Sequence, residues 1–163
     1  MSKNPRYNKF VAKATWDIGV SGTLTAGAAS HSASSGSVYI PDGALITKAY
    51  YHVETTVGDD GDDSTTLALG YTGATGAFVA AIAISDASNV YDAGSHGTLV
   101  GMGAALGADA AHDTALEVIA LNAATMVALT DRKELLLTKA NDHAIDAGKF
   151  HLFVEYVQTG DLA

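Results

Sequence analysis

Ala44-Leu45-Ile46-Thr47-Lys48-Ala49-Tyr50-Tyr51-His52-Val53-Glu54-Thr55-Thr56-Val57 carries the clearest structural signal in this chain. Leu45, Thr47, Ala49, Tyr51, Val53, Thr55 and Val57 alternate with Ile46, Lys48, Tyr50, His52, Glu54 and Thr56. A period of two in residues rich in β-branched and aromatic side chains describes a strand, because successive side chains leave a pleated backbone on opposite faces. The first set is the expected buried face. Just upstream, Val38-Tyr39-Ile40 is a short apolar run, and Pro41-Asp42-Gly43 supplies a turn, since proline presets φ and glycine accepts a positive one.

Downstream, past Asp59-Asp60-Gly61-Asp62-Asp63, the segment Thr65 to Tyr71 alternates again, with Leu67, Leu69 and Tyr71 on one side. It is the expected return strand. Residues Phe78 to Ile84 are uniformly apolar and too short for periodicity to separate strand from helix, so they read as buried with their type open. From Gly94 to Ala111 glycine and alanine dominate without a period, the pattern of a packed excursion or a loop. Leu116 to Leu129 mixes signals, and only its second half, from Thr125, reads as strand. Glu134 to Lys139 and Lys149 to Thr159 are β-rich runs joined by a polar loop, and they are expected to pair as an antiparallel hairpin. In the last run Phe150, Leu152, Val154 and Tyr156 share one face. His151, Phe153, Glu155 and Val157 share the other, where Phe153 and Val157 imply partial cover.

Short strands, frequent turn signals and no strand-then-long-helix repeat describe an all-β fold, an antiparallel β-sandwich of jelly-roll type. The 163 residues suit one domain, and 48% hydrophobic against 17% charged residues excludes disorder on composition. With no cysteine, neither disulfides nor thiolate metal sites contribute. Lys9 and Lys13 interrupt the apolar run a secretory signal needs, and no stretch reaches the roughly 18 apolar residues of a membrane helix. Folding in a reducing cytoplasm, with no membrane partner, is the expectation.

Charge divides the chain. Lys3, Arg6, Lys9 and Lys13 are four of the nine basic residues, whereas all 18 acids lie beyond residue 16. We therefore divide the chain into a basic extended arm, 1–16, and a sandwich, 17–163. An acidic body repels phosphates and excludes nucleic acid as its partner. In the arm, Lys3, Arg6, Tyr7, Lys9, Phe10 and Lys13 interleave charge with apolar surface, the composition of a tether to a neighbouring subunit, and Trp16 is placed to anchor it. On this reading, removal of residues 1–13 leaves the sandwich folded.

Constellations for chemistry are sparse. Asp59, Asp60, Asp62 and Asp63 are the candidate cation ligands, but Thr65 stands where a calcium loop requires glycine and Tyr71 where it requires glutamate, so a solvated loop is the competing reading. His52 with Glu54, and His151 with Glu155, give ligand pairs where zinc needs three or four ligands. Gly101-Met102-Gly103-Ala104-Ala105-Leu106-Gly107 has its third glycine one place late for a dinucleotide turn. Ser95-His96 forms no nucleophile elbow. We expect neither cofactor nor catalysis.

Three stretches resemble small virion proteins of tailed bacteriophages, of the capsid cement or decoration type. They are Val38-Tyr39-Ile40-Pro41-Asp42-Gly43-Ala44-Leu45-Ile46-Thr47, then Phe78 to Ile84 with Asp92-Ala93-Gly94, then Asp146-Ala147-Gly148-Lys149 leading to Phe153-Val154-Glu155-Tyr156. The resemblance implies a β-sandwich on the outside of an icosahedral head, a homotrimer on a local threefold axis, clamping neighbouring copies of the major capsid protein. It implies no active-site residues. The alternative is a tail-fibre or carbohydrate-binding jelly roll in which Tyr50, Tyr91 or His52 stacks on a sugar.

Overall fold

The computed structural model describes residues 8–25, 27–61, 64–85, 90–99, 127–140 and 143–158. In chain order these form β1 (Lys9–Asp17), a single helical turn α1 (Ile18–Ser21), β2 (Ala29–His31), β3 (Tyr39–Ile40), β4 (Ala44–Asp59), β5 (Thr66–Tyr71), β6 (Ala74–Ala83), β7 (His96–Leu99), β8 (Val127–Ala128), β9 (Lys133–Ala140) and β10 (Ile145–Gln158). The described strands make two antiparallel sheets. One has the order β1-β10-β4-β7 with β8 also on β4; the other has β2-β9-β5-β6 with β3 also on β9. The all-β sandwich is as the alternation implied. Among the described residues no helix is long and apolar enough to cross a membrane.

One core fills the space between the sheets. The first sheet contributes Trp16, Tyr51, Val53, Phe150, Leu152 and Val154, and the second Leu67, Leu69, Leu135 and Leu137, all buried. Trp16 stacks on Phe150 at 5.4 Å between ring centroids, and Tyr91 meets the same ring edge-on at 6.2 Å. Such pairs add to the area term that drives burial.

The central strand keeps its alternation from Ala49 to Val53 and loses it at both ends. Glu155 pairs with Lys48 and Tyr156 with Ile46, so Thr47 is an extra residue in β4. A bulge of one residue exchanges the two faces. Ala44 and Ile46 therefore point inward in place of Leu45 and Thr47, and the Thr47 hydroxyl donates to the Glu155 carbonyl at 3.3 Å. A second shift near Lys149 leaves Thr55 exposed while Val57 stays buried.

Two expected pairings are corrected. β5 does not return along β4; it pairs with β6 and β9 in the opposite sheet, so the acidic loop carries the chain across the sandwich. β9 and β10 are not a hairpin either, because each has its neighbours in a different sheet. Strand-loop-strand chemistry is the same whether a chain doubles back or crosses over, and burial on both faces selects crossing. β5 demonstrates it: Leu67 to Tyr71 are buried on both sides. Phe78 to Ala83, left open in type, belong to strand β6, which a Thr72-Gly73 turn with φ +90° at Gly73 joins to β5. β7 and β8 lie one after the other along β4, opposite 49–52 and 45–46, with residues 100–126 between them. The readings of 100–111 and of 116–126 fall outside the described residues.

The arm, expected over 1–16, is a strand from Lys9 onward. β1 pairs residue for residue with β10, from Lys9 with Val157 to Asp17 with Lys149. Ala12, Ala14 and Trp16 face the core. Removing residues 1–13 therefore cuts into the sheet.

The core also holds two tyrosines with opposite fates. Tyr91 donates its hydroxyl to the Leu67 carbonyl at 3.0 Å, whereas the buried Tyr51 hydroxyl meets no acceptor among the described residues. Burial pushes the Tyr51 phenol up to about 12 and raises Tyr91 further in the same direction. An unmatched buried hydroxyl costs about 1–3 kcal/mol. Tyr51→Phe should thus be neutral or stabilising, and Tyr91→Phe destabilising by about 1 kcal/mol, in urea unfolding followed by circular dichroism.

Candidate functional site

The outward face of β1, β10 and β4 gathers the polar and aromatic side chains the core excludes. Register sets them in rows. Lys13 lies opposite Phe153 and Phe153 opposite Tyr50; one step along, Thr15 lies opposite His151 and His151 opposite His52. Directly opposed residues share a face, which is what brings these groups together from distant parts of the chain.

In the first row the Tyr50 and Phe153 rings stack at 4.8 Å with planes 12° apart. Lys13 sits 5.4 Å from the Phe153 centroid and Lys48 5.5 Å from that of Tyr50. Each ammonium gains from the negative face of a ring. Neither lysine has a carboxylate partner among the described residues. The result is a pair of half-buried rings on an outward face, capped by cations.

The next row is a closed electrostatic set. His151 Nε2 lies 3.1 Å from Glu54 Oε2 and its Nδ1 2.9 Å from Thr15 Oγ1, while Lys149 donates to Glu54 Oε1 at 3.0 Å and approaches Asp17 at 3.6 Å. The Lys149 hydrogen bond, then that of His151, holds Glu54 below the usual carboxylate range, and Glu54 in turn raises Lys149. Glu54 is half-exposed and Lys149 partly so, which leaves their pair open to screening, so the set fixes geometry more than it adds stability. The sequence pairs His52–Glu54 and His151–Glu155 are not the ones formed: His151 meets Glu54 across two strands, and Glu155 faces Lys9 at 3.7 Å.

The carboxylates of the candidate cation loop are engaged by neighbouring backbone N–H groups. Asp59 accepts from the Gly61 N–H at 3.0 Å and the Thr65 N–H at 3.1 Å; Asp60 accepts from the Ala144 N–H at 3.0 Å and lies 3.5 Å from His143. These contacts brace the crossing between sheets. Asp62 and Asp63 lie outside the described residues, among which no three His, Asp or Glu side chains converge on a metal position. Tyr50, Tyr91 and His52 do not form a sugar platform: Tyr91 is buried, the Tyr50 ring is stacked and capped, and His52 alone is exposed. Ser95 is buried, its carbonyl accepting from the Val53 N–H at 2.8 Å.

Neither a protein-family model nor a curated protein sequence matches the chain. In structure it is similar to a chain of the cyanophage Pam1 capsid asymmetric unit, with a TM-score of 0.56 and 13% identity over 96% of this chain and 91% of that one. It is also similar to a chain of the acidic stable capsid structure of Helicobacter pylori bacteriophage KHP30, with a TM-score of 0.51 and 16% identity over 91% of this chain and 86% of that one. The fold is one found in phage capsids.

Within this sandwich the seven residues expected to make an arm contact divide three ways. Lys3, Arg6 and Tyr7 lie outside the described residues. Lys9 and Lys13 are on the outward face. Phe10 and Trp16 are on the inward one, Phe10 stacking on Tyr156 at 5.6 Å while 43% exposed, and Trp16 wholly in the core. The apolar residues interleaved with lysines are a strand's alternation, with Phe10, Ala12, Ala14 and Trp16 as its inner phase. That signal was present in the sequence, masked by the lysines.

Proposed function

We propose that this chain is a structural protein of a tailed-phage virion, a cement or decoration protein that sits on the outside of the head, binds the major capsid protein and does no catalysis. The observation that carries the reading is a fold shared nearly end to end with chains of phage capsids. The outward face of rings, lysines and a histidine hydrogen-bonded to Glu54 adds support, because it offers contact area where an enzyme offers a pocket. Assembly takes place in the host cytoplasm, as a homotrimer seated on a local threefold axis. The mechanism is mass action: a protein that binds only the assembled, expanded shell stabilises that state by its binding free energy, without ordered chemistry.

Residues 1–8, with Lys3, Arg6 and Tyr7, are the tether, since they precede the first residue of β1. Removing them should leave the melting temperature unchanged and weaken co-sedimentation with shells about tenfold at 50 mM salt. The gap should narrow at 300 mM, where screening has already reduced the lost charge pairs. Equal binding by the full and shortened chains at both salts would remove the tether from the proposal.

A further inference from the structure

Charge is polarised along the strands as well as between sequence segments. Lys9 and Lys48 lie toward the end where β1 and β4 begin, and Lys13 at the middle of β1, all on the outward face of the first sheet. Asp59, Asp60, Asp92 and Asp146 gather at the opposite end, where β4 finishes, β10 starts and residues 91–94 run beside Val53 and Val57. On the face itself each acid is matched: Glu155 by Lys9, and Glu54 and Asp17 by Lys149. Among the described residues Lys13 and Lys48 meet rings and no carboxylate, and at the acidic end Asp92 and Asp146 hold no ion pair. The described residues thus set cations without carboxylate partners on one surface and carboxylates without cation partners on another.

We propose that the lysine-and-ring face, centred on Lys13, Phe153, Tyr50 and Lys48, receives the acidic end of a second copy of this chain. The inference rests on the reading that copies associate, and it names the surface. A two-fold face-to-face contact would set Lys13 and Lys48 of both copies against one another, which like-charge repulsion opposes. The contact is therefore head-to-tail, and such contacts close into rings or run on as chains. The stacked rings supply the apolar centre of the contact and the lysines its register. Val11, 54% exposed and opposite Glu155 on the same face, extends the apolar area.

Sedimentation velocity of the full chain from 1 to 100 μM tests this. The wild type should associate, and Lys13→Glu/Lys48→Glu should raise the dissociation constant at least about tenfold with unchanged circular dichroism. Adding Asp92→Lys/Asp146→Lys to that variant should restore association. Arg132→Glu/Lys133→Glu, the same charge change away from the face, should not impair it. Association that survives the Lys13/Lys48 reversal would overturn the surface while leaving self-association in place. A wild type monomeric at 100 μM would overturn the inference, with shell binding decided separately by co-sedimentation.

Discussion

Trp16→Ala should cost about 3–5 kcal/mol, the range for removing a large buried aromatic from a core that cannot fully collapse. Its indole is 1% exposed, stacks on Phe150, and donates Nε1–H to the His31 carbonyl at 3.2 Å. The substitution removes the ring pair, opens a cavity in the core between the two sheets, and leaves that carbonyl without its donor. At roughly 2–4 °C per kcal/mol for a chain of this size, the melting temperature should fall by about 6–20 °C. Because Trp16 is the only tryptophan, the measurement needs circular dichroism rather than fluorescence. A loss below about 1 kcal/mol would return Trp16 to the periphery, as an anchor for a separate arm.

Deleting residues 1–13 should destabilise the sandwich about as strongly, in contrast to the silent deletion of 1–8. The longer cut removes Lys9 to Lys13, which pair with Val157 back to Phe153, together with the Phe10–Tyr156 stack and the buried Ala12. Several ladder hydrogen bonds at about 0.5–1.5 kcal/mol net each are lost, partly offset by the freedom of fewer ordered residues. A drop of about 5–10 °C is the expected net effect. The outer half of β10 would also become an open edge, and exposed edges template pairing with other chains. Concentration-dependent aggregation should therefore accompany the drop. If the 1–13 deletion melts with the full chain, β1 is not integral to the sheet.

What could be read from sequence and what could not follow a physical division. Alternation within one strand is local, so β4 between Ala49 and Val53 and β10 from Phe150 to Val154 were legible, buried face included. Partial cover of Phe153 was legible too, because an apolar residue in a polar phase has to be explained by something packed on it. A bulge at Thr47 has no local mark: only the partner strand shows that one residue is surplus. The same holds for the hairpins expected after Val57 and before Lys149. Turn residues state that the chain changes direction, while the choice between the same sheet and the opposite one belongs to long-range packing. The outward face was illegible for that reason, since His151 with Glu54 and Tyr50 with Phe153 are separated by about a hundred residues and meet through register alone. From Lys9 to Trp16 the expected arm is a strand, because the lysines there are the outer phase of a period of two. Phe10, Ala12, Ala14 and Trp16 spell a strand's inner face once the lysines are treated as its outer one.

The account stands on this chain being a fixed component of a virion. Quantitative mass spectrometry of gradient-purified particles from the phage encoding it tests that directly. The account predicts a constant ratio of this chain to the major capsid protein across preparations, retained through repeated banding. Particles that are intact and infectious yet lack the chain would contradict it.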